Sequence, residues 1–394
     1  MSELLESRWL DTKNALLEGL SGTKKSVMSA TLENTRKYLS ETAGAGATSA
    51  GNVATLNRVI LPVIRRVMPT VIANELVGVQ PMTGPVGQIH TLRVRYAEAM
   101  NDTSAGNTDT TAGEEALSPF KIAEAYSGDL TTAKAASTAS LEGEAGRKMS
   151  IQILKQTVEA KSRKLSARWT FESAQDAQSM HGIDVEAEIM AALAQEITAE
   201  IDQEVLGSLN TLGGTAVETY DQSAVSGTAT FVGDEHAALA VQINRAANLI
   251  AQRTRRGAGN WAVVSPFALT ILQSATTSAF ARTTEGTFEA PTNTKMVGTL
   301  NNAMKVYVNT YAGDGANVIV GYKGSSESDA AAFYCPYIPL MSSGVVLDPS
   351  SFEPVVSFMT RYGYVELNNT ASSLGNAADY LANVAITDGA VSFS

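Results

Sequence analysis

Cysteine occurs once in the 394 residues, at Cys335, and histidine three times, at His90, His181 and His236. One thiol excludes an intrachain disulfide and any zinc site built on two cysteines, and it fits a chain made in a reducing compartment. Charge is sparse, at 18% of residues, and 29 basic against 40 acidic side chains leave a net charge of -11. Phosphate affinity needs clustered Lys and Arg, so specific nucleic-acid binding is not expected. Long apolar runs are missing too. The most apolar stretch, Val53 to Met82, is broken by Arg58, Arg65, Arg66 and Glu75, which excludes a membrane span. The amino terminus carries Glu3, Glu6, Asp11 and Glu18 among its leucines and lacks the core of a secretory signal.

Catalytic signatures are equally scarce. There is no HExxH, no GxSxG and no Gly-rich loop followed by Lys and Ser/Thr. His181 next to Gly182 could act as a base, but no nucleophile or ligand spacing accompanies it, and a structural role is favoured. Arg253, Arg255 and Arg256 could meet phosphates, yet a helix C-terminus already accounts for them. Cys335, between Tyr334 and Pro336, is expected to be a buried small hydrophobe. No catalytic, cofactor-binding or metal-ligating set is expected.

What remains is 44% hydrophobic and large enough for two or three compact domains. Residues 1–41 form a separate segment, six acids (Glu3, Glu6, Asp11, Glu18, Glu33, Glu41) against six bases (Arg8, Lys13, Lys24, Lys25, Arg36, Lys37). It ends in a small-residue arm from Thr42 to Gly51. From Leu56 to Ile72 apolar pairs recur every four residues, a helix that Pro62 and Pro69 interrupt. Leu92, Val94 and Tyr96 alternate with Arg93 and Arg95, and Leu165 to Phe171 alternates likewise; these two strands are expected to form the sides of a long hairpin around a polar, Gly-containing excursion.

Ile183 to Leu209 is the clearest helix, with Val185, Ile189, Leu193, Ile197, Ile201, Val205 and Leu209 spaced by four. Four residues turn a helix by about 400°, so the ridge drifts and should meet different neighbours along its length, as a spine rather than a bundle seam. Its charges are all acidic: Asp184, Glu186 and Glu188 suit the helix dipole, whereas Glu200, Asp202 and Glu204 do not. A second helix is expected from an Asp234 N-cap through Leu239, Ile243, Ala246 and Ile250, closing at Arg253 to Gly257. Trp261 to Val264 suggests a buried strand, and Ser265-Pro266 a capped helix start. Strands follow at Lys305–Tyr311, Asn317–Tyr322, Ala331–Ile338 and Val355–Leu367, the last interrupted by Gly363. The class is α+β.

Several stretches together resemble the major capsid protein family of T4-like tailed bacteriophages: Val67-Met-Pro-Thr-Val-Ile-Ala, Gly78-Val-Gln-Pro-Met-Thr-Gly-Pro-Val-Gly-Gln88, Val158-Glu-Ala-Lys-Ser-Arg-Lys-Leu165 and Tyr311. Val320-Gly-Tyr-Lys-Gly324, Tyr334-Cys-Pro-Tyr-Ile-Pro339 and Phe358-Met-Thr-Arg-Tyr-Gly363 continue the match in family order. The resemblance implies an HK97-type shell protein whose hexameric capsomers enclose double-stranded DNA without specific binding. It implies an arm at 42–60, an extended loop at 84–170, an axial domain at 213–340, and a peripheral domain from 61–83, 171–212 and 341–394. A separate insertion domain between Tyr96 and Thr157 is not expected. The family's scaffold-like N-terminal segment is removed after a Leu-x-Glu motif, which Leu39-Ser40-Glu41 matches, with cleavage before Thr42. Implied partners are further copies of the chain, a scaffold protein, a prohead protease, and vertex and portal proteins, in a capsid assembled in the host cytoplasm.

The hairpin strands are basic (Arg93, Arg95, Arg163, Lys164, Arg168) and the spine acidic (Glu196, Glu200, Glu204). The hairpin of one subunit is therefore expected to lie across the spine of its neighbour. Other functions stay open at this point: an encapsulin-like compartment, a filament or surface-layer protein, or an enzyme without a recognisable site.

Overall fold

The structure is a computed structural model and describes residues 9, 13, 14, 17, 25–34, 72–99, 111–114, 116, 126–128, 134–143, 146–181, 184–221, 232–275, 280–282, 295–301, 303–326, 329–351, 353–367 and 377–387. The expected arm at 42–60 and the proline-interrupted helix, Ile72 excepted, lie outside the described residues.

Residues 25–34 are helical (α1). There follow α2 (Ala73–Leu76), β1 (Gly78–Val79), β2 (Val86–Tyr96), α3 (Thr138–Leu141), β3 (Met149–Glu159), β4 (Lys161–Arg168), α4 (Phe171–His181), α5 (Val185–Gly213) and β5 (Glu218–Tyr220). Next come α6 (Val232–Thr254), β6 (Trp261–Val264), α7 (Pro266–Ser274), β7 (Phe280–Arg282), β8 (Lys295–Leu300), β9 (Met304–Val308) and β10 (Val318–Gly321). The chain closes with β11 (Ala332–Ser342), β12 (Val346–Leu347), β13 (Pro354–Glu366), a 3-10 turn and β14 (Leu381–Ile386). It divides into two compact units, and α5, β2, β3 and β13 each run across a division.

The first unit comprises 1–87, 158–208 and 332–365. Its sheet has the order β1-β11-β13-β12, with β4 also on β13. β1 pairs in parallel with β11, Val79 opposite Tyr334. β13 pairs antiparallel with β4 over eight residues, from Val355 opposite Arg168 to Tyr362 opposite Lys161. The spine helix α5 begins at an Asp184 cap, whose carboxylate accepts from the Glu186 and Ala187 amides at 3.1 and 3.4 Å. Along its four-residue ridge burial deepens: Ile189 is half-buried, whereas Ile197, Ile201 and Val205 are all but inaccessible. The expected drift therefore leaves the N-terminal third of the helix outside the core. α1 belongs to this unit, and its Val27, Met28, Thr31 and Leu32 are all buried.

The second unit comprises 88–157, 209–331 and 366–394. Its seven-stranded sheet has the order β5-β14-β10-β6-β9-β8-β7. β6 pairs parallel with β9, and antiparallel with β10. One face of α6, Leu239, Ile243, Ala246 and Ile250, is fully buried in a core with Ala268, Ile271 and Leu272 of α7 and Val306, Val318, Val320, Ala382 and Val384 of the sheet. Ser265 caps α7 as expected, its hydroxyl accepting from the Ala268 amide at 3.2 Å, with Pro266 at the first helical position. α6 starts two residues before Asp234, and the left-handed residue that ends it is Arg255 (φ 50°), not Gly257.

Two expectations are corrected. β2 pairs with β3, not with the strand beginning near Leu165. That segment is β4, claimed by β13 through a full antiparallel ladder, and it stops at Arg168 because Phe171 opens α4. Gly363 does not interrupt β13, which runs through it. A Cβ there would lie 2.5 Å from Val158 Cγ1 and 3.3 Å from Met82 Sδ, so the glycine admits a close approach rather than ending the strand.

Gly363→Ala is expected to cost about 1–3 kcal/mol by forcing that contact apart. Gly207→Ala, within α5 and with nothing inside 4 Å of the added carbon, should instead stabilise by about 0.5–1 kcal/mol. Denaturant unfolding of the two variants beside the parent checks both signs.

Candidate assembly surfaces

In the first unit the acids of α5 that oppose the helix dipole all have partners. Arg163 of β4 reaches Glu200 with Nη1 at 2.7 Å and Glu204 with Nη2 at 2.5 Å. Its Nε donates to the Tyr362 hydroxyl at 2.6 Å, and that hydroxyl donates in turn to Glu204. Partial burial acts against the Arg163 charge, but the bonds to Glu204 and Tyr362 outweigh it and hold the guanidinium above its ordinary value. Burial likewise raises Glu204, and the same two partners more than reverse it, leaving the carboxyl below its ordinary range. Three elements, β4, β13 and α5, meet at one arginine.

Arg163, Glu200 and Glu204, expected at a contact between subunits, meet one another within the chain. Arg168 likewise approaches Glu353 of its own chain at 3.7 Å. Lys164 and Glu196 are exposed, Arg95 is half-buried, and the Arg93 side chain lies outside the described residues. So do Leu39, Ser40, Glu41 and Thr42.

Asp202 is 6% exposed and accepts a bond from the Ile72 amide at 2.9 Å. Burial pushes its carboxyl up to about 7, with the amide bond pulling the other way. Neither Asp202 nor Tyr362 was marked by sequence pattern; the one signal was that Asp202 is an acid near the wrong end of the helix.

In the second unit, the ribbon of β2 and β3 carries an uncovered apolar face. Ala97 N–H bonds Lys148 O at 3.0 Å, and the same offset recurs where Ala160 N–H bonds Pro85 O at 2.9 Å. That register sets Leu92 opposite Ile153 and Val94 opposite Ile151. Leu92, Ile151 and Ile153 are 65%, 69% and 68% exposed, and Met149 is 51% exposed. At the ribbon's far end Tyr96 packs on Tyr126 in a tilted pair, with ring centroids 4.5 Å apart and an interplanar angle of 54°. β3 was missed because its apolar residues sit on a face that nothing among the described residues buries, so its alternation does not separate core from solvent.

Other candidates are accounted for locally. Cys335 is buried, its thiol pushed up to about 11 by burial. His236 is buried, with Nδ1 on the Ser274 hydroxyl, and burial holds it below its ordinary value. His90 and His181 are exposed. Arg256 pairs with Asp329 at 2.6 Å. Among the described residues no group of three His, Cys, Asp or Glu could hold a metal, and no helix is long and apolar enough to cross a membrane.

Charges join a chain's own elements in the first unit, and in the second an apolar ribbon face is left uncovered among the described residues. The family model described as Major capsid protein Gp23 matches residues 53–387, and the chain belongs to that family. The major capsid protein of Vibrio phage KVP40 is 30% identical, covering 85% of this chain and 82% of that protein. That of Enterobacteria phage T4 is also 30% identical, over 86% of this chain and 80% of the relative. Among solved structures, the capsid of Myoviridae Phage XM1 overlays with a TM-score of 0.45 at 11% identity, over 80% of this chain and 92% of that one. Family membership favours a phage shell over the encapsulin-like alternative and makes the chain a homo-oligomeric shell subunit.

A double-mutant cycle of Arg163→Ala and Glu204→Ala in the unassembled chain is expected to show about 0.5–1 kcal/mol of coupling, modest because the two side chains are 31% and 39% exposed. Pairing made only between subunits would give none. For Asp202, the native state keeps a proton that the unfolded chain releases above its ordinary 3.8. Its contribution is therefore complete below about pH 4 and is lost as pH rises through about 7. Asp202→Asn, permanently uncharged, should gain melting temperature relative to the parent as pH rises from about 5 to 8; a pH-independent difference would show that Asp202 does not titrate there.

Proposed function

We propose that the chain is the wall of an icosahedral, HK97-type phage head, assembling as hexameric capsomers around double-stranded DNA and performing no chemistry itself. The observation that carries this is the apolar ribbon face, Leu92, Met149, Ile151 and Ile153, which is costly in water and finds cover on another copy. In this reading residues 84–170 form the extended loop and 213–340 the axial domain. The peripheral domain takes 61–83, 171–212 and 341–394, and 42–60 is the arm. Residues 1–41 are removed after Glu41 by a prohead protease, and scaffold, vertex and portal proteins are partners. Six acids and six bases leave with that segment, so the net charge stays at -11. An acidic wall suits DNA that must later be released, since phosphate contacts need clustered bases.

Electron microscopy and sedimentation of the expressed protein test the reading. The parent should form capsomers or shells. Ile151→Asp combined with Ile153→Asp should leave a folded chain, with unchanged circular dichroism, that no longer assembles. Normal assembly of that variant would rule the ribbon face out as an interface. Intact mass before and after maturation reads the loss of residues 1–41 separately.

A further inference from the structure

Within the second unit, His236 is 3% exposed near the start of α6. Its Nδ1 meets the hydroxyl of Ser274, the last residue of α7. That hydroxyl has a single hydrogen, and Ile271 O accepts it at 3.0 Å, since a carbonyl cannot donate. The hydrogen between ring and hydroxyl therefore belongs to Nδ1, and in the neutral ring Nε2 is the bare nitrogen. Nε2 is buried and has no hydrogen-bond partner among the described residues. A neutral ring can stay there, because an unfilled lone pair costs less than an unmet charge. Protonation would turn Nε2 into a buried cationic donor with no acceptor.

The surrounding charges do not compensate. α7, β10 and β14 carry none. On β5, Glu218 is held by Arg245 at 3.0 Å, and the Tyr220 hydroxyl donates to Glu235 O at 3.3 Å. The 3-10 turn, with Asp379 and Tyr380, lies by Asp329 and Arg256 at the other end of α6. Glu235, buried beside the ring, favours its charge, but burial outweighs that attraction. The end of α7 favours a cation and the start of α6 disfavours one, so the helix dipoles largely offset. The buried ridge of α6 begins only at Leu239, which leaves the ring joining two helix ends beyond it.

We propose that His236 and Ser274 form an acid-labile latch between the start of α6 and the end of α7: the neutral ring joins the two helix ends, and a proton on Nε2 parts them while the sheet and the rest of the core stay formed. Above the ring's ordinary 6.5 the closed and open forms are both neutral, and the latch contributes in full. Its contribution is lost as pH falls below that value, where the open form takes up a proton that the closed form refuses. The second unit thereby has a part that responds to acid by itself, whatever the chain assembles into.

The test is amide hydrogen exchange on the full chain at about pH 7.5 and about pH 5.5, corrected for the intrinsic pH dependence of exchange. Ala240 and Ser274 report on the latch, Ile250 on the far end of the α6 ridge and Val320 on the sheet. With an open ring that titrates at 6.5, this interval favours the open form about tenfold. Ala240 and Ser274 should therefore exchange about tenfold faster at the lower pH, with Ile250 and Val320 unchanged. His236→Asn, which keeps an amide hydrogen for Ser274 and cannot titrate, should abolish the difference. No acceleration in the parent, equal acceleration at all four amides, or acceleration that persists in His236→Asn overturns the latch. The tautomer, read by magnetic resonance on nitrogen-labelled histidine in the parent, decides without any substitution: hydrogen on Nδ1 is expected, and hydrogen on Nε2 at neutral pH overturns the proposal.

Discussion

Among the described residues the two-stranded ribbon has no layer beneath it, and that constraint bears on the subunit and on its proposed assembly alike. Isolated hairpins are marginal in water because each residue has neighbours on one side only. The ribbon of β2 and β3 is secured at its ends: Tyr96 and Tyr126 pack as a tilted pair at one, while Gly87, Gly363, Val158 and Met82 interlock at the other. Between these ends its apolar face has no cover among the described residues. Burying a side chain the size of Ile or Leu is favourable by about 1.5–3 kcal/mol, so Leu92, Ile151 and Ile153 hold a substantial driving force in reserve for association.

Charge has the complementary task. A purely acidic spine invites the idea that bases on a neighbour steer docking, but Arg163 consumes Glu200 and Glu204 within the chain, and Tyr362 completes the set. The result fixes how α5 crosses β4 and β13 before any second copy arrives. Asp202, two residues from Glu204, takes the opposite course: it is buried without a cation in its described surroundings and is accommodated by protonation near neutrality. Apolar surface thus serves association, and ion pairs serve the geometry of the subunit that presents it.

The same division explains what could be read from sequence. Wherever a pattern reports burial within the chain, it was legible: the α6 face, the α5 ridge and the Ser265-Pro266 start all appear as expected. The ribbon's second strand was not legible, because Met149, Ile151 and Ile153 are exposed and their alternation reports no burial among the described residues. The 165–168 stretch misled for a related reason: its alternation is real, but pairing depends on β13, nearly two hundred residues away. Gly363 looked like a break because glycine's weak strand propensity is visible in sequence and the close approach of Val158 is not. Within the chain Arg163 meets Glu200 and Glu204, a pairing that follows from the β4–β13 topology rather than from the charge pattern.

The N-terminal helix shows how weak binding can still be structural. Val27, Met28 and Leu32 are buried, at about 1.5–3 kcal/mol each, and Asn34 adds two hydrogen bonds of about 1 kcal/mol each. Against this stands the ordering of ten residues, at about 1 kcal/mol or more apiece. The two sums nearly cancel, so a free peptide of this sequence would bind poorly. Covalent attachment changes the balance, because a tether supplies an effective concentration in about the millimolar range. A cut after Glu41 would leave every contact of α1 chemically intact and remove only the tether. Docking of α1 is therefore a property of the connected chain, set by its tether as much as by its contacts.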